Sequence, residues 1–338
     1  TISIKDYAGT FATNNLTIGR NSHKIQGNTN DSLLTTNRAQ ITLVYADATK
    51  GWLFTDEHNV ADLEQNPYVT ATGGTITNTG DFRIHTFNSS SNFVVSDAGA
   101  GNPYSGKVSY LVVGGGGGGG GAQHGGNQRS GGGGAGGFRE GRVSTPDFTA
   151  SPLVAPAGLT VTAQTYPITV GAGGSTVPWP SPSGTNHAAS LNEGNNSVFS
   201  TITSAKGGGG GNRSSSPGGA GGVGGSGGGS VGGGAGAAGN TPPVSPPQGN
   251  PGGTTTGPFQ NSGSGGGGAG TAGSGVPGSG EIGGAGGAGS PTNITGSDVT
   301  RAGGGGGGGS TNNGSSPGPG AGGAAGSGGG GTGADDDS

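Results

Sequence analysis

The feature that most constrains this chain is a run of eight consecutive glycines that follows an apolar strand, in the sequence YLVVGGGGGGGG at Tyr110–Gly121. Glycine loses more backbone freedom on folding than any other residue, so a long glycine run is costly to order. Similar runs recur along the rest of the chain, and 90 of the 338 residues are glycine, against a usual share of about 7%. The runs are therefore either disordered or required by a form of packing that only glycine permits.

The overall composition argues against both an ordinary apolar core and simple disorder. Apolar residues make up 26% of the chain and charged residues 9%, which is too little apolar material for one conventional core. Disordered chains with a sparse core usually carry a high net charge, but the net charge here is only −4. No stretch approaches eighteen consecutive apolar residues, so we expect no insertion into a membrane. The absence of cysteine excludes disulfides and thiolate metal sites.

Shifts in composition divide the chain into four parts. Residues 1–56 carry alternating or β-branched segments such as TISI, NNLTI and QITLVY, which predict a small N-terminal β module. Residues 57–67 are acidic and predict a linker with room for one short helical turn between Asp56 and Pro67. Residues 68–113 predict a second small β unit, with strands in YVTATGGTIT, DFRIHTF, NFVVS and KVSYLVV. Residues 114–338 form a glycine-rich domain with strand insertions in LTVTAQTYPITVGAGG and NSVFSTITSAKGG.

The glycine runs could form polyglycine II helices, a conformation in which glycine is required for packing. This helix has three residues per turn, rises about 3.1 Å per residue and contains no internal hydrogen bond. Every N–H and C=O therefore points outward and needs a partner. Because glycine has no side chain, several such helices can lie side by side and bond laterally. Gly114–Gly121 would span roughly 25 Å in this form.

Glycine runs and turn-forming segments alternate through the rest of the chain. The runs lie near residues 114–121, 131–137, 207–211, 218–234, 263–270, 283–289, 303–309 and 318–333, and the segments NRSSSPGG, NTPPVSPPQGNPGG, SPTNITGSD and STNNGSSPGPG separate several of them. Pro, Asn and Ser favour turns. We therefore predict a mostly β fold without significant α-helix, in which small β modules precede a domain of packed polyglycine II helices with β insertions and tip loops. The alternative is a flexible Gly/Ser linker, which would have no use for apolar residues such as Val231 and Ile282.

Motifs for catalysis are weak, so we predict a protein that is not an enzyme and that has no cofactor and no bound metal. The five histidines show no metal-ligand spacing; they are His23, His58, His85, His124 and His187. Ser226 and Ser230 both fit the pattern GxSxG, but that motif functions only on a strained strand-to-helix turn. Asp335–Asp337 is either a solvated acidic tail or a group of oxygen ligands for Ca²⁺. The basic residues are scattered, which argues against nucleic-acid binding.

Side chains that could recognise a partner are concentrated in the predicted turns, where loops also tolerate sequence change. The candidate receptor contacts are Gln123, His124, Asn127, Arg129, Trp179, Asn186, His187, Phe259, Gln260, Asn312 and Asn313. Trp179 lies between prolines in VPWPSPSGTNH. A polar loop with one exposed aromatic residue suits recognition of a sugar or a protein surface, and the alternative role for Trp179 is a cap packed over the end of the glycine helices.

The order of these motifs resembles that of glycine-rich tail-fibre and distal adhesin proteins of tailed bacteriophages, particularly marine ones. The strand SYLVV, its glycine run and the block GAGGFR at Gly134–Arg139 carry the resemblance. YPITVGAGG, NSVFSTITSAKGGGGG and the preceding GDFRIHTFNSSSNFVV match other parts of the same pattern. The segment IKDYAGTFATNNLTIGR resembles a β module of phage virion proteins, although no tail-attachment domain is recognisable.

The resemblance implies a fibre or fibre-tip adhesin on the virion surface, with loops that bind a polysaccharide or an outer-membrane protein of a bacterial cell. It also implies that the protein contacts other virion proteins and assembles with itself as a homotrimer, and that the glycine-rich part forms a polyglycine II sandwich. A different hypothesis is a structural subunit of an extracellular filament or matrix. Such a homopolymer would assemble through its strand edges and its glycine-rich packing.

Overall fold

A computed structural model of the protein describes residues 1–59, 68–100, 103–121, 130–143, 148–175, 192–212, 219–256, 262–276, 282–310 and 320–335. In these ranges the secondary structure is β-strand, with no α-helix, so the predicted fold class is confirmed. No described segment forms a helix of the length and apolarity needed to span a membrane. The chain divides into two compact units, Thr1–Tyr68 with Gly99–Ser105, and Val69–Ala98 with Gly106–Ser338.

The first unit consists of two small antiparallel sheets. Its strands are β1 (Ile2–Lys5), β2 (Leu16–Ile18), β3 (Ser32–Leu34), β4 (Ala39–Asp47) and β5 (Gly51–Asn59). One sheet has the order β1-β4-β5, and β2 pairs with β3. Ile41 and Leu43 alternate along β4 and are buried together with Ile25, as expected for a strand that packs one face on a core. β5 continues through Asn59, so the first residues of the predicted linker are strand and the predicted helical turn is absent from Asp56–Asn59.

A buried carboxylate organises the start of the first unit. Asp6 is 3% exposed. Its Oδ1 accepts the N–H of Gly9 at 2.8 Å, and its Oδ2 accepts the N–H groups of Phe11 at 3.0 Å and Arg38 at 2.9 Å. Burial on its own would raise the pKa of Asp6, but these backbone N–H groups outweigh it and hold the pKa below its ordinary value.

The second unit contains the remaining strands and all of the glycine runs. Its strands are β6 (Thr70–Thr72), β7 (Thr75–Thr79), β8 (Phe82–Thr86), β9 (Ser91–Asp97), β10 (Lys107–Val108), β11 (Tyr110–Val113), β12 (Phe138–Gly141), β13 (Val154–Ala155), β14 (Leu159–Thr160), β15 (Gln164–Thr169), β16 (Ser197–Phe199), β17 (Ile202–Ser204), β18 (Ser290–Thr292) and β19 (Val299–Arg301). The unit therefore crosses the boundary that the sequence suggested at residue 113.

One sheet provides most of the apolar core of the second unit. It has the strand order β17-β16-β15-β9-β6, and its neighbouring strands are antiparallel. Phe93 on β9 lies at the centre of the core, with its ring centroid 5.8 Å from that of Phe199 and 6.5 Å from that of Tyr166. Val112 on β11 and Val161 are buried in the same cluster. This core lies where the strands lead into the glycine runs.

The glycine runs and the residues around them form an array of polyglycine II segments, called glycine helices below. They comprise residues 114–121, 130–137, 170–175, 192–196, 205–212, 219–225, 226–231, 235–239, 249–256, 262–269, 272–276, 282–289, 302–310, 320–327 and 330–335. The hydrogen bonds of a pair recur at every third residue, for example from Gly114 to Gly137, from Gly117 to Gly134 and from Gly120 to Gly131. This spacing is the three-residue repeat of polyglycine II.

The glycine helix 262–269 shows the complete bonding pattern, with six neighbouring helices. Its N–H groups donate in three rows, to carbonyls of 302–310, 226–231 and 272–276 or the adjoining Thr271, at 2.8–2.9 Å. Its carbonyls accept in three further rows, from helices 282–289, 130–137 and 249–256, at 2.8–3.1 Å. The N–H groups of residues 263–269 and the carbonyls of residues 263–268 are thus all bonded to neighbouring backbone. Lateral hydrogen bonds replace the apolar core that the composition cannot supply.

Strand pairing sets the register of several helix pairs. In the β11–β12 pair, Val113 lies opposite Phe138, and the same register continues into the hydrogen bond from Gly114 to Gly137. Likewise, Ser290 of β18 lies opposite Arg301 of β19, and Gly304 donates to Gly287 in the same register. Strands β12, β18 and β19 were not predicted from the sequence, where SPTNITGSD was interpreted as a turn.

Two long runs contain a reversal that the sequence did not reveal. The predicted run 218–234 consists of helix 219–225, helix 226–231 and the turn that follows. The predicted run 318–333 lies partly outside the described residues, and its described part reverses between helices 320–327 and 330–335. Gly328 and Gly329 at this reversal have φ angles of 95° and 101°, which glycine adopts readily and other residues rarely do.

We predict that Gly117→Val destabilises the second unit strongly, whereas Gly119→Val does not. A Cβ at Gly117 would lie 2.1 Å from the carbonyl oxygen of Gly208, a backbone atom that cannot move aside, whereas a Cβ at Gly119 would meet nothing closer than 3.8 Å. We expect Gly117→Val to cost at least about 2 kcal/mol in the free energy of unfolding. Chemical denaturation of both variants checks this. Equal unfolding midpoints would show that the run is not packed.

We predict that Asp6 makes the stability of the first unit depend on pH in the acid range. The unfolded pKa of aspartate is about 3.9, and the folded pKa is lower. The stabilisation is therefore present above the unfolded pKa and is lost as the pH falls through the folded pKa. Unfolding curves from neutral pH down to about pH 2 should show Asp6→Asn destabilised at neutral pH, with a flatter acid decline. The exposed Asp47→Asn is the control, and identical behaviour of the two variants would contradict the prediction.

Candidate binding surface at one end of the glycine helices

The glycine helices have two different ends. At one end they continue into strands: β11, β15, β17 and β19 lead into helices 114–121, 170–175, 205–212 and 302–310, and helices 130–137, 192–196 and 282–289 lead into β12, β16 and β18. The strand end is therefore fixed to the apolar core. The opposite end is called the loop end below, because the segments that connect these helices in sequence begin and finish there.

The described residues on either side of those connecting segments lie together. They are Gly121 and Ser130, Ser175 and Asn192, Asn212 and Gly219, Thr256 and Ser262, Val276 and Ile282, and Ser310 and Gly320. Gly308 donates its N–H to the carbonyl of Ser130 at 2.9 Å. The backbone of Gly263 packs so closely on the same carbonyl that an added Cβ would lie only 2.0 Å from its oxygen. The N–H of Gly121 bonds to Oδ1 of Asn212. Six connections are thus rooted on one end of a rigid array.

Asparagine side chains fix the helix ends at this surface. Nδ2 of the buried Asn192 donates to the carbonyls of Gly118 at 2.9 Å and Gly119 at 2.8 Å. It thereby ties the entry of helix 192–196 to the exit of helix 114–121. The neighbouring Glu193 forms an ion pair with Lys206. These contacts hold in place the two positions from which residues 122–129 and 176–191 extend.

Buried hydroxyl groups stabilise the array close to the loop end. Ser230, Thr255 and Ser264 are each no more than 1% exposed. Oγ of Ser264 donates to the carbonyl of Gly253 at 2.6 Å, lies 3.0 Å from the carbonyl of Ser230, and accepts the N–H of Ser230 at 2.7 Å. Oγ of Ser230 accepts the N–H of Thr255 at 3.0 Å. Three glycine helices are joined here by side chains as well as by backbone.

The predicted GxSxG motifs do not have the geometry that the motif requires. Ser226 and Ser230 both belong to the glycine helix 226–231, not to a strand-to-helix turn, and the described residues contain no α-helix. Among these residues, no group of three or more His, Asp or Glu is placed to hold a metal ion. His85 instead bonds through Nδ1 to the carbonyl of Gly73 at 2.8 Å.

A buried carboxylate at the strand end has a structural role. Glu140 on β12 is 1% exposed. Its Oε2 accepts the N–H of Ser151 at 2.8 Å, and its Oε1 accepts the hydroxyl of Thr292 at 2.5 Å. Burial lowers the pKa of Arg301, while Glu140 acts in the opposite direction. The bond from Thr292 thus joins β12 to β18 through the Glu140 carboxylate.

All of the receptor contacts predicted from the sequence lie outside the described residues. Gln123, His124, Asn127 and Arg129 belong to 122–129, Trp179, Asn186 and His187 to 176–191, Phe259 and Gln260 to 257–261, and Asn312 and Asn313 to 311–319. The structure brings together the residues that flank these four segments. The sequence did not indicate the roles of Asn192, Asn212 and Ser264. Asparagine or serine next to a glycine run, at the edge of a connecting segment, is the signal that could have identified the first two.

A family model described as a glycine-rich domain matches residues 88–338. This chain belongs to that glycine-rich domain family. The matched range begins just before β9 and includes the strand core, the glycine helices and the loop end, so the family domain coincides with most of the second unit. The comparisons with curated proteins and with solved structures found no match.

We predict that Ser264→Ala destabilises the glycine-rich domain, because it leaves the Ser230 N–H with only its longer contact of 3.3 Å to the carbonyl of Gly253 and leaves a small cavity. The expected cost is about 1–3 kcal/mol in the free energy of unfolding. The control is Ser274→Ala on the neighbouring helix 272–276, where the residue is exposed. Thermal or chemical unfolding of both variants measures the difference. A Ser264→Ala protein as stable as the control would show that the hydroxyl cluster does not support the array.

Proposed function

We propose that this protein is a phage fibre or tail-tip adhesin that displays loops from its glycine-rich domain to bind a receptor on a bacterial surface. The observation that carries the proposal is the convergence of six connections on one end of the array, opposite the strand core. A rigid scaffold that presents several variable loops side by side is a common basis for recognition.

The chemistry of the connecting segments supports recognition of a polar surface. They contain Trp179 and Phe259 among Pro, Asn and Ser, and they contain His124 and Arg129. An aromatic ring can pack on the apolar face of a sugar or a side chain, while amide groups form directional hydrogen bonds. A bacterial polysaccharide or the exposed loops of an outer-membrane protein fit this combination. The glycine helices themselves offer little for recognition, because their backbone groups are already bonded to one another.

The resemblance to tail-fibre and adhesin proteins supports the same proposal, and we propose the virion surface as the location of the protein. The first unit then supplies contacts to other virion proteins. Binding requires no catalytic group and no cofactor, in agreement with the weak catalytic motifs.

We predict that replacing residues 122–129, 176–191, 257–261 and 311–319 by Gly-Ser sequences of equal length abolishes attachment to host cells and leaves the domain folded. The reason is that the replaced side chains carry the recognition, while the bonds that build the array lie elsewhere. Adsorption of labelled protein to a panel of bacterial strains, with thermal unfolding as the folding check, measures both outcomes.

The matched control changes exposed residues at the strand end, with Ser297→Gly and Asp298→Ser in the turn between β18 and β19. This variant should attach as the unmodified protein does. Attachment that survives all four replacements would refute the adhesin proposal and favour a structural subunit of an extracellular filament.

A further inference from the structure

Among the described residues, the glycine helix 130–137 has five neighbouring helices, one fewer than helix 262–269 has. Its N–H groups donate to helices 205–212 and 262–269, and its carbonyls accept from helices 114–121, 226–231 and 302–310. The remaining row of donors consists of the N–H groups of Gly133 and Gly136. Within the described residues these two groups have no acceptor, although both glycines are buried. Unpaired buried N–H groups are rare in folded proteins and call for an explanation.

The unpaired donors mark a vacant position in the array. The five neighbours of helix 130–137 are bonded to one another in sequence around it, from 114–121 through 205–212, 226–231 and 262–269 to 302–310. The gap in this ring therefore lies between helices 114–121 and 302–310. Each of these two helices also has a row of carbonyls without a donor in the described part of the chain, at Gly117 and Gly120 and at Gly303 and Gly306. The vacant position thus offers both donors and acceptors at three-residue spacing.

Glycines that face the vacant position are not required by packing against the described residues. A Cβ at Gly116 would come no closer than 3.8 Å to another residue, at Gly119 no closer than 3.8 Å and at Gly305 no closer than 3.3 Å, and the nearest atoms include the N–H nitrogens of Gly136 and Gly133. Most other glycines of the array would place a Cβ within 3.0 Å of backbone. None of the three has a positive φ angle. Their identity needs a reason outside the single chain.

Other exposed positions on the array do carry side chains. Ala220 and Val223, Ala235 and Ala238, and Ala321 and Ala324 are exposed pairs spaced by three residues. A methyl or larger group at these positions keeps a further helix from approaching. Charged side chains and prolines on the edge strands of β-sheets prevent further pairing in a similar way. The outer helices of the array, called the rim below, thus carry side chains that block approach on several faces, whereas the vacant position is open.

We infer that a glycine helix from a second copy of this chain occupies the vacant position and completes the hydrogen-bonded array across an interface between copies. Only a segment without inward side chains can approach the carbonyls of Gly117 and Gly120 and the N–H of Gly133 closely enough to bond. The chain itself carries many such helices, several of them on the rim. The contact joins the vacant position of one copy to a rim helix of another, so the copies form a closed ring or a filament according to the rotation between them. This inference does not depend on receptor binding at the loop end.

The test uses a double variant that carries both Gly116→Val and Gly119→Val. Analytical ultracentrifugation over a range of concentrations compares this variant with the unmodified full chain. The two side chains fill the vacant position but have room in the single chain, so in dilute solution, where the unmodified protein is also monomeric, the thermal unfolding midpoint should not change. We expect the unmodified protein to self-associate and the double variant to remain monomeric. Ala235→Val with Ala238→Val, on a blocked face, should associate as the unmodified protein does.

Amide hydrogen exchange provides a second measurement that does not rely on a substitution. Exchange at Gly133 and Gly136 should slow at concentrations where the protein associates and be faster in dilute solution. The inference is overturned if the unmodified protein is monomeric at every concentration, if the double variant associates as well as the unmodified protein, or if exchange at these two glycines is independent of concentration.

Discussion

The lateral N–H···O=C hydrogen bond between glycine helices is the interaction on which the rest of this structure depends. A chain with 26% apolar residues cannot fill a large core with side chains, and the described strands bury only a small apolar cluster. The array instead buries backbone, and each helix such as 262–269 satisfies its polar groups with several neighbours. Glycine is required because a Cβ at an inward position would lie about 2 Å from a neighbouring carbonyl, as at Gly117. The entropic cost of ordering glycine is offset by a dense set of short hydrogen bonds.

Register is the main difficulty for such an array, because one glycine resembles the next. A polyglycine helix could slide along its neighbour by three residues and keep its bonding pattern. The strand pairs prevent this. The pairing of Val113 with Phe138 in β11–β12 continues directly into helices 114–121 and 130–137, and β18–β19 does the same for 282–289 and 302–310. At the other end, Asn192 and the Ser230–Thr255–Ser264 cluster lock the register again. Fixed ends allow the connecting segments to emerge at defined places.

Much of the fold could be predicted from the sequence, because glycine runs separated by Pro, Asn and Ser have few packed solutions. Most strands before residue 113, and those in YPITV and NSVFSTITS, followed from alternation of apolar and polar residues or from β-branched runs, whereas β3 and β5 were not identified. Strands β12, β18 and β19 were missed because FREG, SPT and VTR are short and are defined by their partners. The reversal at Gly328 was hidden inside a uniform run. The sequence also could not show which glycine helices pack against each other, because runs of the same residue do not distinguish one partner from another. The candidate contacts from Gln123 to Asn313 rest on the sequence, and the structure supports only the convergence of their flanking residues.

Site-resolved amide hydrogen exchange across Gly114–Gly120 in the intact protein measures whether this glycine run is bonded laterally to its neighbours. In the array, the N–H groups of Gly114, Gly115, Gly117, Gly118 and Gly120 are hydrogen-bonded to other helices, whereas those of Gly116 and Gly119 have no acceptor in the described residues. We predict slow exchange at the first group and fast exchange at Gly116 and Gly119, which is a three-residue period within an uninterrupted run of one amino acid. Uniformly fast exchange along the run would contradict it and would leave a flexible linker in place of the array.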